Sequence, residues 1–115
     1  MIVSNMDTLK EIKVANPEAK DAFMKILVGP DQGWADYVMR EFELGAGGFS
    51  PKHVHDWPHI NYIIEGLGEL QVGDAVHEIK AGGYAYVPPG IVHQFRNMGE
   101  GRLKFICIVP KEGHK

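Results

Sequence analysis

Apolar and polar positions alternate in short runs along most of the chain, and no stretch sustains the three-to-four spacing of an amphipathic helix. The period of two predicts half-buried strands, and Gly and Pro clusters mark where each should stop. Residues 9–14 alternate as a strand, 17–21 read as a turn or a single helical turn, and 23–28 form a strand stopped by Gly29-Pro30. A strand over 37–44 should end in a turn at 45–48, followed by a strand carrying His53 and His55. The apolar run 60–64 is next, with a turn at Glu65-Gly66. Strands over 69–72 and 75–79 flank Gly73-Asp74, a hairpin signal. Strands over 84–87, 92–97 and 103–109 complete the series. Nine or ten short strands at this spacing predict an all-β sandwich or barrel forming a single domain over residues 1–115.

Composition narrows the function classes. The chain of 115 residues is 44% hydrophobic and 23% charged, ordinary for a globular domain with a real core. A net charge of -3 without any Lys/Arg run gives no footprint for nucleic acid, and no apolar stretch reaches the length of a membrane span. The start, MIVSNMDTLK, lacks the basic-then-apolar order of a signal peptide. One cysteine permits no internal disulfide, and the expected compartment is a reducing cytoplasm.

The candidate chemistry lies in the histidines. Four of the six fall in two short segments: His53, His55 and His59 in the first, His93 in the second. Side chains two apart on a strand share a face, so His53 and His55 can reach one cation. His59 follows the turn-capable Asp56-Trp57-Pro58, and His93 follows the rigid Pro88-Pro89-Gly90. Neutral imidazole is the commonest ligand for first-row metals, so this constellation predicts a metal centre. His77 and His114 fall outside it and are expected to be exposed.

The same residues carry a family resemblance. Gly47, His53, His55, His59 and Gly66 fall at the spacing of the first cupin motif, with His59 where a Glu is usual. Gly82, Pro88, Gly90, His93 and Asn97 match every position of the second. The chain thus resembles a cupin, with motifs over 47–66 and 82–97, and the resemblance implies a jelly-roll β-barrel, or double-stranded β-helix. Replacing Glu by His makes it similar to small four-histidine manganese cupins. That implies manganese on His53, His55, His59 and His93, with two adjacent positions left for water or substrate. Imidazole also suits iron, nickel, copper and zinc, so spacing alone does not select the metal. Four neutral ligands leave a divalent centre at a charge of about +2, which favours anionic or enolate-like ligands.

Arg40 shares the face of Val38, Phe42 and Leu44, where a guanidinium is either paired structurally or holds a substrate anion. Phe105 and Cys107 share a face of the last strand and are, with Arg40, the candidate pocket residues. Asn61 continues the His59 face and can fix an imidazole tautomer; Trp57 reads as packing. The expected function is a metal-dependent oxidoreductase, dioxygenase-like, acting on a small molecule. The alternatives are a metal-dependent isomerase and a non-catalytic binding or sensing module. The expected partners are a small-molecule ligand and a second copy of the chain, with residues 1–30 available for exchange in a homodimer.

Overall fold

The computed structural model describes residues 1–114. Nine strands follow in chain order: β1 (Ile12–Lys13), β2 (Lys20–Val28), β3 (Tyr37–Phe49), β4 (His59–Glu65), β5 (Leu67–Val72), β6 (Ala75–Lys80), β7 (Tyr84–Val87), β8 (His93–Asn97) and β9 (Leu103–Pro110). Three 3₁₀ turns, Met6–Thr8, Pro30–Gln32 and Lys111–Gly113, are the only helical elements among the described residues. All ladders are antiparallel, and the strands run β6-β5-β8-β3-β9-β4-β7, with β2 and then β1 added on β3. This is the expected all-β single domain, a nearly closed jelly-roll barrel.

Alternation sorts the strands into an inner and an outer face. On β9 the burial pattern is strict: Leu103, Phe105, Cys107 and Val109 point inward and are buried, while the residues between them are half-buried. Leu44, Ile63, Val87, Leu103 and Phe95 form the core with Phe105. The Phe105 ring stacks on Phe95 at 4.2 Å and on Phe42 at 5.6 Å between centroids, so three phenyl rings join three strands. The opposite face of β4 and β7 is apolar yet open: Ile60, Tyr62, Tyr84 and Tyr86 are all half-exposed or more. In register Ile60 faces Tyr86 and Tyr62 faces Tyr84, so they form one patch.

Several local expectations give way to tertiary context. Residues 45–48 do not turn; β3 continues through them to Phe49. Against β2, the register jumps from Leu44 opposite Ala22 to Phe49 opposite Lys20, so four residues bulge where Asp21 alone stands. Asp21 absorbs the distortion at φ 47, and a side chain on Gly48 would meet the Lys20 carbonyl at 2.7 Å. The stretch expected as a strand over 9–14 pairs only at Ile12–Lys13. Residues 17–21 divide between a turn and the start of β2. At Glu65-Gly66 the turn forms as expected: Gly66 takes φ 96, and any side chain there would press on the Arg102 carbonyl at 2.6 Å.

Candidate metal centre

The four histidines reach one cavity by different routes. His59 opens β4 and His93 opens β8, and both are buried. His53 and His55 do not lie on a strand, contrary to the spacing argument. Residues 51–58 form an extended loop tied by one bridge, in which the His53 N–H donates to the His93 carbonyl (3.2 Å) and the His93 N–H to that of His53 (3.0 Å). The Gly90 N–H donates to the His55 carbonyl at 2.9 Å, so the Pro88-Pro89-Gly90 turn buttresses the loop.

The outcome is convergence. Ligand atoms of His53, His55 and His93 lie within 4.8 Å of one another; His59 stands outside that group of three, but its Nε2 is 3.1 Å from that of His93. Three rings are held by their far nitrogen. The Nδ1–H of His55 donates to the Trp57 carbonyl (2.7 Å), that of His59 to Asn61 Oδ1 (2.6 Å), and that of His93 to the Ile91 carbonyl (3.0 Å). These tautomers follow from the oxygen acceptors. They leave each neutral Nε2 with a lone pair aimed into the cavity, the arrangement of metal-ligating histidines. Two lone pairs 3.1 Å apart repel. Nitrogens each about 2.1 Å from one ion would sit roughly 3.0–3.4 Å apart, so the pair fits a cation. Trp57 also stacks on His55, with centroids 4.6 Å apart and planes 8° from parallel. Behind Trp57 lies Gly113, where a side chain would collide with the indole.

Burial favours the neutral form of three of the four rings. Burial, reinforced by the neighbouring histidines and Arg40, pushes His53 down to about 4. His59 falls to about 4 for the same first cause, although its bond to Asn61 opposes the shift. His93 is also lowered, again first by burial. A cation at neutral pH therefore meets His53, His59 and His93 without an extra proton to shed.

The cavity, of about 310 Å³, is lined by the four histidines with Arg40, Phe42, Trp57, Asn61, Phe95, Phe105 and Cys107 among others; no Asp or Glu among the described residues lines it. Arg40, Phe105 and Cys107 thus all border the space occupied by the histidines. His77 is exposed as expected, but His114 is half-buried, packed by the C-terminal 3₁₀ turn beside Val38 and lowered by burial and by Arg40. Sequence reasoning offered no signal for the Trp57 and Ile91 carbonyls, because any residue supplies one. The second motif includes Asn97 without revealing its role: its Nδ2 donates to the carbonyls of Leu44 (2.8 Å) and Gly101 (2.7 Å), and its Oδ1 accepts the Gly99 N–H (2.9 Å). Asn97 clamps the β8–β9 turn to β3 and touches no ligand site.

A barrel of this topology with inward histidines at one mouth defines the cupin class. The cupin domain model matches residues 40–109, and the chain belongs to that family. It is 35% identical over 77 residues to a 1-methylthio-D-xylulose 5-phosphate methylsulfurylase of Rhodospirillum rubrum, covering 67% of this chain and 49% of that protein. The chain spans about half the length of the curated relatives it matches. Among solved structures, the polyketide cyclase RemF of Streptomyces resistomycificus superposes with a TM-score of 0.89 at 28% identity, covering 96% of this chain and 79% of the cyclase. A predicted oxalate decarboxylase of Thermotoga maritima shares the fold, with a TM-score of 0.85 at 21% identity over 95% of this chain and 98% of its own.

Proposed function

We propose that this cupin is a metal-dependent oxidoreductase acting on a small molecule, with His53, His55, His59 and His93 as ligands and manganese as the metal. The observation that carries the proposal is the set of Nδ1–H bonds that leaves imidazole lone pairs converging in a cavity without a carboxylate. A bound divalent ion would supply Lewis acidity and, for manganese or iron, redox capacity. The chain's own residues do the rest. Asn61, Trp57 and Ile91 hold the rings, the Phe42–Phe105–Phe95 stack gives an apolar floor that displaces water, and Arg40 supplies positive charge at the wall. Among the described residues no Asp or Glu lines the cavity for general acid–base work, which favours redox over proton-shuttling chemistry.

The test is metal exchange. Metal-stripped protein reconstituted with manganese, iron or zinc is assayed for oxygen consumption against a panel of small acids and enols. Turnover with manganese or iron and none with zinc supports the proposal; equal turnover with zinc overturns it. Equal turnover would support the second reading, Lewis-acid isomerisation or cyclisation, which the likeness to a polyketide cyclase favours. Tight retention of one metabolite without turnover would instead mark a binding module.

We also propose a homodimer formed through the open face of β4 and β7. Tyr62, Tyr84 and Tyr86 leave 51%, 83% and 62% of their surface free, and Ile60 leaves 52%. With tyrosines of ~150–250 Å² each, these four side chains expose roughly 400–600 Å², more than half of the ~800 Å² per partner of a stable interface, and the rest would come from their neighbours. Tyr62→Lys with Tyr84→Lys should convert the dimer to monomer in sedimentation analysis. A dimer that survives both changes is held elsewhere, as by exchange of residues 1–30.

A further inference from the structure

We propose that Arg40 is the anchor for a carboxylate on the small molecule that enters the histidine cavity, a deepening that rests on the metal-centre reading above. Among the described residues Arg40 is a charge without a counter-charge. Alternation along β3 turns Arg40 inward, between the buried Val38 and the cavity-lining Phe42. Its Nη2 donates to Cys107 Sγ at 3.3 Å, across the ladder where the two residues are paired. Its guanidinium carbon lies 4.9 Å from the centroid of the Phe42 ring. Its Nε–H is buried and has no acceptor among the described residues.

Neither a thiol nor a phenyl face neutralises a guanidinium, and among the described residues Arg40 forms no ion pair. The nearest carboxylates along the strand, Glu41 and Glu43, alternate to the opposite face, where Arg102 takes Glu43 at 2.9 Å. A partly buried cation with an unsatisfied donor is costly, so its counter-charge is expected from outside the chain. The free Nε–H and its neighbouring terminal N–H form the planar fork that grips two oxygens of one carboxylate.

Carboxylate is favoured over phosphate by the walls. One guanidinium, three phenyl rings and about 310 Å³ suit a compact acid. A phosphate is usually met by a helix N-terminus or a nest of backbone N–H groups. Here the cavity is walled by strands and a loop, and no α-helix occurs among the described residues. An acid whose carboxylate lies on Arg40 would present its remaining oxygen to the histidine centre, which fixes orientation from two sides.

The experiment separates this anchor from the metal. Lactate, its neutral isostere lactamide and inorganic phosphate are titrated into metal-free protein while the Arg40 Nε–H signal is followed by NMR. Metal uptake by the wild type and Arg40→Met is measured separately by elemental analysis. Lactate should shift the Nε–H signal and bind at least tenfold more tightly than lactamide. Arg40→Met should abolish that preference with metal uptake unchanged, and Arg40→Lys should weaken lactate at least threefold. Should Arg40→Met fail to fold, Arg40→Lys decides. Equal binding of lactate and lactamide, or an undiminished preference in the variants, overturns the proposal. Phosphate binding more tightly than lactate with the same Arg40 dependence overturns the choice of carboxylate. Preference for lactate in a protein that takes up no metal upholds the anchor and overturns the metal centre instead.

Discussion

Replacing Asn61 by Leu tests how the fold tunes a ligand. Asn61 is fully buried on β4, and its Oδ1 accepts the Nδ1–H of His59 at 2.6 Å. Leucine keeps the branched shape, with somewhat more bulk, and removes the acceptor. The His59 ring, itself buried, then has an unsatisfied N–H, a loss of roughly 1–3 kcal/mol. Its Nε2 is no longer held as the unprotonated nitrogen, and outer partners of this kind are worth about 10–100-fold in metal affinity, or ~1.4–2.7 kcal/mol. The assay is manganese competition against a calibrated chelator at pH 7.5, beside thermal unfolding of the metal-free protein. Asn61→Leu should weaken manganese by that factor and lower the unfolding midpoint, whereas Asn61→Asp restores an acceptor and should recover the affinity. Unchanged affinity in Asn61→Leu would mean that His59 is not oriented through Asn61, and the tautomer argument would fail.

Three further outcomes are expected. Unfolded histidine protonates near 6.5 but His59 only near 4, so between these values the unfolded state holds more protons. Metal-free protein should lose stability as pH falls from 6.5 to 4, by on the order of 3 kcal/mol from His59 alone, and urea unfolding that is flat over this window would refute the shift. Glu41 has the opposite sign: burial, then its bond to Glu43, raises it to about 7, so its contribution is present below about 4.5 and lost as pH rises through 7. Glu41→Gln should therefore gain about 2–3 kcal/mol over the wild type at pH 8.5 and little at pH 5, read from urea midpoints. Phe105→Ala removes the middle ring of the stack and should cost ~3–5 kcal/mol in the same assay; a loss under 1 kcal/mol would show that the floor is not packed as described.

What was legible in the sequence was what local rules determine. The period of two on residues 103–109 and the Gly73-Asp74 turn specify β9 and the β5–β6 hairpin without reference to the rest of the chain. The histidine cluster was legible because metal chemistry restricts residue type. The extension of β3 through Gly45–Gly48 was not, since glycines that end a strand and glycines that permit a bulge look alike until the pairing with β2 is known. The loop carrying His53 and His55 was mistaken for a strand because both present side chains in an extended backbone, and only the single bridge to His93 tells them apart. The burial of Glu41 gave no signal either. Beside Glu43 it reads as an exposed charged position, and only the strands on both sides of β3 enclose it.

The central claim, a metal held by the four histidines, is tested most directly by elemental analysis of protein purified without a histidine tag or added metal, beside His59→Ala and His93→Ala. Close to one equivalent of manganese or iron per chain is expected in the wild type, with a sharp loss in both variants. A wild-type protein that holds no metal even after reconstitution, or variants that keep it in full, would contradict it.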